Sequence, residues 1–289
     1  MKQRLALPLL GAWVVPPWLL MVTAIISVQI GAALAKQLFE IASPAGVVFL
    51  RTLLGSMIFL IVGRPRLRAY GWRDYRLMAV YGASIAGMML SFYAAINLIP
   101  LGITVAIAFS GPLLVAVLGS RRSVDLIWVG LAALGVLLLS PFTNAELDPL
   151  GVGLAFLSAG TWVAYIFISK RVNRRIDLHT ALSVSMFAAA LVAAPVGLVG
   201  ALEILPSFGL IGLALLVALL SSAIPFSLEL VALRQLTPRA FGLLVSLEPG
   251  IAALIGFVAL GEALGLREIA GIAFVCIAAA ATARGSSHA

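Results

Sequence analysis

Long apolar stretches alternate with short polar segments along almost the whole chain. Each stretch holds about 20 residues with few charges, the length that an α-helix needs to cross the hydrocarbon core of a bilayer. The sequence therefore predicts an all-α membrane protein with ten transmembrane helices. They are expected at residues 18–38, 44–63, 77–98, 101–119, 124–141, 149–169, 179–201, 207–231, 240–260 and 265–283.

The composition agrees with a chain that lies almost entirely in lipid. Hydrophobic residues make up 63% of the 289 residues and charged residues 10%, whereas soluble domains hold about 25% charged residues. Ten spans joined by short loops leave no room for a separate soluble domain. The lipid bilayer is therefore the expected surrounding of the protein.

The positive charges are concentrated on one side of the predicted spans. A net charge of +8 would suggest nucleic-acid binding in a soluble protein, but basic residues next to spans orient a membrane protein. If the N-terminus is cytoplasmic, sixteen of the nineteen basic residues fall on the cytoplasmic side. This bias predicts that both termini are cytoplasmic and that nucleic acid is not a partner.

The N-terminal segment has features of a secretory signal. Lys2 and Arg4 precede an apolar run that reaches Ala33-Leu34-Ala35, which is similar to a cleavage site. The run is longer than the apolar region of a signal peptide, and the segment has a counterpart in mid-chain. We therefore expect it to be retained as the first span.

A weak internal repeat relates the two halves of the chain, with an offset of about 134 to 141 residues. Lys36 at the end of span one matches Lys170 at the end of span six, and Pro112 matches Pro249. Because five helices are an odd number, the second half enters the bilayer from the opposite side. Many secondary transporters use this inverted-repeat plan and bind substrate near the midplane. The predicted five-helix repeats are residues 1–143 and 144–289.

Three ionisable residues lie well inside predicted spans, namely Arg51, Glu229 and Glu248. Each costs about 2.5–3.5 kcal/mol at a helix centre on insertion scales, so such residues are usually functional. Helix geometry gives Arg51 and Glu248 a similar depth and places Glu229 nearer the surface. We interpret Arg51 as holding an anionic group of a solute, and a glutamate as holding a cationic group or a proton. The alternative is a permanent ion pair between helices.

Other side chains extend this hypothetical site. Ser222 shares a helical face with Glu229, and Trp162 shares one with Tyr165, so these residues could line a cavity or simply pack. Glu229 and Glu248 are the candidates for proton coupling.

Two prolines inside apolar spans are predicted to break or kink their helices. Pro112 and Pro249 free the carbonyls of Ala108 and Val245, which could ligate a solute. Metal or cofactor chemistry is not expected, because Cys276 is the only cysteine and neither histidine is placed as a ligand.

The ten-span, two-half layout resembles the EamA branch of the drug/metabolite transporter superfamily, and is most similar to the bacterial threonine/homoserine exporter group. The resemblance covers nearly the whole chain. Its motifs are Gly31-Ala32-Ala33-Leu34-Ala35-Lys36, Pro44-Ala45-Gly46-Val47, Leu50-Arg51, Pro100-Leu101-Gly102-Ile103, Gly111-Pro112-Leu113, Ser120-Arg121-Arg122, Pro225-Phe226-Ser227-Leu228-Glu229, Arg239-Ala240-Phe241-Gly242, Glu248-Pro249 and Leu260-Gly261-Glu262.

The resemblance implies a secondary transporter of the inner, or cytoplasmic, membrane. Its expected activity is export of small neutral amino acids in exchange for protons, by alternating access. The extra apolar lead before Pro16-Pro17 and the tail from Gly285 to Ala289 depart from the family pattern. Neither departure touches the proposed site.

The sequence leaves other functions open. Within the superfamily, the runner-up is a drug, nucleoside or other metabolite exporter, and from another class it is a non-transporting membrane sensor or assembly factor. An enzyme is not expected, because the spans contain no aspartate pair and no Gly-x-Ser-x-Gly elbow. The sequence also leaves a homodimer open.

Overall fold

The computed structural model describes an all-helical protein, and no strand occurs among the residues it describes. This confirms the all-α membrane fold expected from the sequence. The described residues are 15–39, 41–99, 101–120, 123–139, 148–204, 206–251, 254 and 265–286. Their helices are α1 (Pro17–Phe39), α2 (Pro44–Gly63), a short 3₁₀ turn (Leu67–Ala69), α3 (Trp72–Ile96), α4 (Leu101–Leu118), α5 (Ser123–Leu139), α6 (Pro149–Arg175), α7 (Leu178–Leu202), α8 (Phe208–Ala218), a π-helical turn (Leu219–Ala223), α9 (Ile224–Gln235), α10 (Pro238–Val245) and α11 (Leu266–Ser286).

Six of these helical segments are long and apolar enough to cross a membrane. They are α1, α2, α3, α6, α7 and the continuous run from α8 to α9. Helices α4, α5 and α11 contain shorter apolar segments. The prediction of ten spans therefore stays a prediction, since part of the ninth predicted span lies outside the described residues.

Two predicted spans differ in detail from the structure. The eighth contains the π-helical turn between α8 and α9, where a continuous α-helix was expected. The ninth was predicted to run over 240–260, but α10 ends at Val245 and a turn follows at Ser246 and Leu247. Both interruptions lie close to a proline, Pro225 in the first case and Pro249 in the second.

Several helices start at a capping residue followed by proline. Ser43, Asp148 and Thr237 each accept a hydrogen bond from a backbone N–H in the first turn of the helix that follows. A proline comes directly after each of them and supplies a φ angle suited to the first helical position. Short polar loops therefore set where α2, α6 and α10 begin.

Small residues let the helix backbones approach closely. A Cβ atom added at Gly46 of α2 would lie 3.0 Å from the backbone of Gly200 and Ala201 in α7. Because lipid provides little hydrophobic force between helices, close packing of this kind is a main source of association in membranes. Helix α2 packs mainly on α7, α3 on α6 and α7, α4 on α6 and α10, and α5 on α11.

A hydrogen-bonded clamp joins the loop after α2 to the loop before α7. The Tyr70 hydroxyl donates to Asp177 Oδ2 and accepts from the Asp177 N–H, both at 2.9 Å. The Arg66 N–H donates to Thr180 Oγ1 at 2.9 Å. Burial acts to raise the pKa of Asp177, but hydrogen bonds from Thr180 and Tyr70 outweigh it and hold that pKa below its ordinary value.

The contact between α3 and α7 gives a first prediction. A Cβ at Gly82 would collide with the Ser185 carbonyl, whereas nothing lies within 4 Å of a Cβ added at Gly160. Gly82→Ala should lower the free energy of unfolding by about 1–3 kcal/mol through overpacking. Gly160→Ala is the matched control, and thermal unfolding in detergent is the measurement. Equal stability of the two variants would contradict the packing described.

The clamp gives a second prediction. A lowered carboxyl pKa stabilises the folded state at neutral pH, and this contribution is lost as pH falls through the lowered folded-state pKa. Asp177→Asn should therefore lower the unfolding midpoint at about pH 7 and have progressively less effect toward about pH 3. Glu203→Gln, at an exposed carboxylate, is the control. If the difference in unfolding midpoint between the wild type and Asp177→Asn did not change with pH, the result would contradict the clamp.

Candidate functional site

Arg51 of α2 is bonded to the π-helical turn between α8 and α9. Its Nε donates to Ser222 Oγ at 3.1 Å, and its Nη2 donates to the Ser221 carbonyl. Ser221 and Ser222 are both buried. The structure thus brings together Arg51 and Ser222, two of the residues that the sequence placed in the site.

Pro225 explains why this turn can accept a bond from Arg51. Proline has no N–H, so the carbonyl four residues earlier, that of Ser221, lacks its usual helical donor. Just before the proline, the Ile224 N–H bonds to the Leu219 carbonyl, five residues back. An α-helix would use the carbonyl four residues back, so this bond has the π-helical pattern. Since a buried carbonyl needs a partner, the Arg51 guanidinium donates to the carbonyl whose usual helical donor Pro225 lacks.

Helices α1 and α2 enclose the π-helical turn. Ser27 Oγ of α1 donates to the Leu220 carbonyl at 2.6 Å. A Cβ added at Gly31 would lie 2.8 Å from the Ser221 Cβ, and one added at Gly55 would lie 3.3 Å from the Ser222 Cβ. The turn is therefore held in place by both helices, which fixes the acceptors that orient Arg51.

Glu248 lies near Arg51 without pairing directly with it. It follows the turn after α10, and the Gln29 side chain of α1 donates to its carbonyl at 3.2 Å. The Glu248 carboxylate is close enough to the charges of Arg51 and Glu229 to interact with both. Among the described residues, however, neither glutamate comes within 4.0 Å of a basic side chain. The described residues therefore do not form the permanent ion pair of the alternative interpretation.

Glu229 of α9 is bound by an aromatic side chain. The Tyr165 hydroxyl of α6 donates to Glu229 Oε2 at 2.6 Å. The Tyr165 ring stacks on Tyr81 with centroids 5.3 Å apart and meets Phe226 edge-on at 5.9 Å. Tyr165 and Tyr81 are fully buried. The glutamate therefore lies at one end of an aromatic cluster contributed by α3, α6 and α9.

Trp162 lies in α6, Pro112 in α4 and Pro249 after α10. The Trp162 ring meets Phe109 edge-on, with centroids 5.0 Å apart. Helix α4 continues through Pro112, whereas Pro249 follows the turn after α10. Roles for these three residues in binding or helix breaking stay predictions.

Sequence reasoning missed Tyr93, Gln29 and Ser221. Tyr93 of α3 lies beside the Arg51 guanidinium, close enough for the two groups to interact, and it packs edge-on against Phe39. No local pattern relates Tyr93 or Gln29 to Arg51. Ser221 did have a signal, because it stands four residues before Pro225, but only Pro112 and Pro249 were considered for freed carbonyls.

Comparison with known proteins identifies relatives along nearly the whole chain. The EamA-like transporter family model matches residues 149–284. The threonine/homoserine exporter RhtA of Salmonella typhimurium (strain SL1344) is 40% identical over 271 residues, which cover 92% of this chain and 91% of the relative. RhtA of Escherichia coli (strain K12) is 41% identical over 256 residues, 86% of each chain.

A solved crystal structure shares the fold. It matches with a TM-score of 0.78 at 18% identity, covering 94% of this chain and 98% of the other. At that identity the likeness concerns the fold alone. The relatives of higher identity confirm the family resemblance expected from the sequence.

The origin of the Arg51 contact gives a third prediction. Pro225→Ala restores an N–H that can bond to the Ser221 carbonyl and so competes with Arg51. The destabilisation caused by Arg51→Leu should therefore be smaller in the Pro225→Ala background, with a coupling energy of about 0.5–3 kcal/mol. A double-mutant cycle of thermal or denaturant unfolding in detergent measures it.

Pro195, inside α7, provides the control for this cycle. Pro195→Ala should combine additively with Arg51→Leu, because Pro195 frees a carbonyl that Arg51 does not contact. Additive effects in the Pro225 cycle as well would show that Pro225 does not provide the acceptor for Arg51.

Proposed function

This chain belongs to the EamA-like transporter family, and from that membership we propose that it exports threonine, homoserine or similar small neutral amino acids. The chain is a multi-pass membrane protein of a transporter family, not of an enzyme family. The curated relatives from Salmonella and Escherichia are named as threonine/homoserine exporters. What this chain must then provide is a site for a zwitterion within the membrane.

The single observation that supports the site is the way Arg51 is held. A guanidinium carries five N–H donors, and the π-helical turn takes one from Nε and one from Nη2. The turn thus fixes the plane of the group and leaves other donors for the carboxylate of an amino acid. Arginine binds carboxylates through two parallel hydrogen bonds, which gives both strength and orientation.

Glu248 is the proposed partner of the substrate ammonium group. It lies within electrostatic range of Arg51 but forms no ion pair with it among the described contacts. A zwitterion placed between the two side chains would compensate both charges at once, which matters because isolated charges are costly in a membrane. Loss of either contact would leave the other charge without a partner.

Glu229 is the proposed site of proton exchange. Its hydrogen bond from Tyr165 suits an ionised carboxylate, and the hydroxyl can rotate to accept a bond when the carboxyl is protonated. Glu248 lies within electrostatic range of Glu229, so a proton on one glutamate would affect the other. Protonation and substrate binding would thereby be linked, as antiport requires.

We also propose that the halves, 1–143 and 144–289, form an inverted repeat. In such a repeat, α2 corresponds to α7, α4 to α10 and α5 to α11. A two-fold axis would therefore place the two helices of each pair in equivalent positions. Likewise α1 corresponds to α6 and α3 to α9, so the contact of α1 with α9 is equivalent to the contact of α6 with α3. All of these pairings occur, which supports a two-fold relation. The arginine-rich helix ends would then face the cytoplasm, and the halves would rock about a central site.

Transport in proteoliposomes gives the fourth prediction. Arg51→Lys keeps the charge but not the paired donors, so it should lower threonine uptake at least about tenfold, the loss expected for a charge-assisted hydrogen bond. Glu248→Gln should lower uptake to a similar extent. Arg68→Gln, in the exposed 3₁₀ turn, is the control, and each variant must first elute as folded protein. Uptake at the wild-type rate in both site variants would reject this site.

Proton coupling gives the fifth prediction. Glu229→Gln should retain threonine-for-threonine exchange but lose the acceleration that an imposed pH gradient gives to net transport. Tyr165→Phe, which removes only the hydroxyl, should weaken that acceleration without abolishing it. Net transport by Glu229→Gln that still responds to the gradient would move proton coupling away from Glu229.

A further inference from the structure

Four arginines surround a cavity where α3 begins and α6 ends, away from the proposed transport site. The cavity measures about 410 Å³ and is lined by Arg73, Leu77, Arg171, Arg174 and Arg175. Arg73 and Leu77 belong to the start of α3, and the other three residues belong to the end of α6. All four arginines are exposed, so the cavity opens to the surroundings.

No acid neutralises this cluster among the residues that the structure describes. None of the four arginines lies within 4.0 Å of a described carboxylate. Asp74, the nearest acid along the chain to Arg73, accepts instead from the Gly71 N–H at 3.3 Å. Lys170 adds a further positive charge, close enough to act on Arg174. Because like charges around one depression repel one another, the cluster favours an anion.

Membrane orientation explains basic residues on this side but not their arrangement. The positive-inside bias needs arginines in the loops, where each can point separately into water. Here they surround one cavity from two helices. The cavity lies within the range of about 300–1,000 Å³ typical of small-molecule sites, and guanidinium groups match the oxygens of phosphate through paired hydrogen bonds.

The apolar surroundings place the cavity at the membrane interface. Trp72, the first residue of α3, is 75% exposed, and tryptophan prefers the level of the lipid head groups. Leu77 gives the cavity an apolar wall one turn further into α3. A ligand here would contact the four guanidinium groups and the Leu77 side chain.

We propose that this cavity binds the phosphate group of an anionic phospholipid, whose acyl chains extend along α3 and α6. Basic pockets between helices on the cytoplasmic side of membrane proteins are suited to such head groups. A free phosphate anion shares the charge and the hydrogen-bonding pattern but would gain nothing from Leu77 and Trp72. The proposal does not depend on the transported substrate.

Lipid retention on the purified full-length chain tests this proposal. Native mass spectrometry in detergent would count bound phosphatidylglycerol and phosphatidylcholine. The wild type should retain phosphatidylglycerol preferentially. Changing Arg171, Arg174 and Arg175 together to Gln should weaken that retention by about fivefold for each arginine removed. The matched control changes Arg64, Arg66 and Arg68 to Gln, which removes the same charge from the neighbouring loop, and it should retain the lipid.

Two other results would contradict the binding of an anionic phospholipid. Equal loss of phosphatidylglycerol in both triple variants would overturn the proposal, because it would indicate a diffuse attraction to the basic surface. Inorganic phosphate that displaces the lipid at equal concentration, or raises the unfolding midpoint equally, would overturn the assignment to lipid.

A charge-preserving variant guards against misfolding of the glutamine variant. Replacing the same three arginines by Lys keeps the charge while removing the paired donors. It should retain phosphatidylglycerol better than the glutamine variant and less well than the wild type. Retention equal to the wild type in both the Lys and Gln variants would overturn the proposal.

Discussion

The hydrogen bonds from Arg51 to the π-helical turn are the interaction on which the account of the site depends. A guanidinium inside a membrane needs acceptors, and a proline inside a helix leaves a carbonyl without its donor. Pro225 and Arg51 meet both needs together, since the Ser221 carbonyl that Pro225 frees is bonded by Arg51. The charge is thereby fixed in one orientation, and no carboxylate among the described residues lies within 4.0 Å of it.

This arrangement separates two tasks that a direct ion pair would combine. The backbone and a serine hydroxyl hold Arg51 in position, so Glu248 and Glu229 do not have to. Glu229 in turn is bound by the Tyr165 hydroxyl, and its aromatic support packs tightly against α3. In the proposed transport cycle, the two acids would respond to the substrate and to protons.

Local sequence patterns predicted the fold class well, because hydrophobic length and helix-capping residues act over short distances. Ser43-Pro44 and Asp148-Pro149 mark helix starts that the structure reproduces. The ionisable residues inside spans were identified for the same reason, since each is costly wherever its helix packs. The sequence did not show which side chains these residues contact in the folded protein. Arg51 and Ser222 are 171 residues apart, and Tyr93 joins them only through packing of α3. The turn at Ser246 and Leu247 was also missed, because the apolar character of the segment continues across it.

The most direct test of the proposed site is whether Arg51 recognises the carboxylate of the substrate. The measurement compares the affinity of the purified protein for threonine with that for the amino alcohol that lacks the carboxylate, in the wild type and in Arg51→Gln. Recognition of the carboxylate by Arg51 predicts that the wild type prefers threonine by at least about tenfold and that Arg51→Gln binds the two compounds nearly equally. A preference for threonine that is unchanged in Arg51→Gln would contradict it.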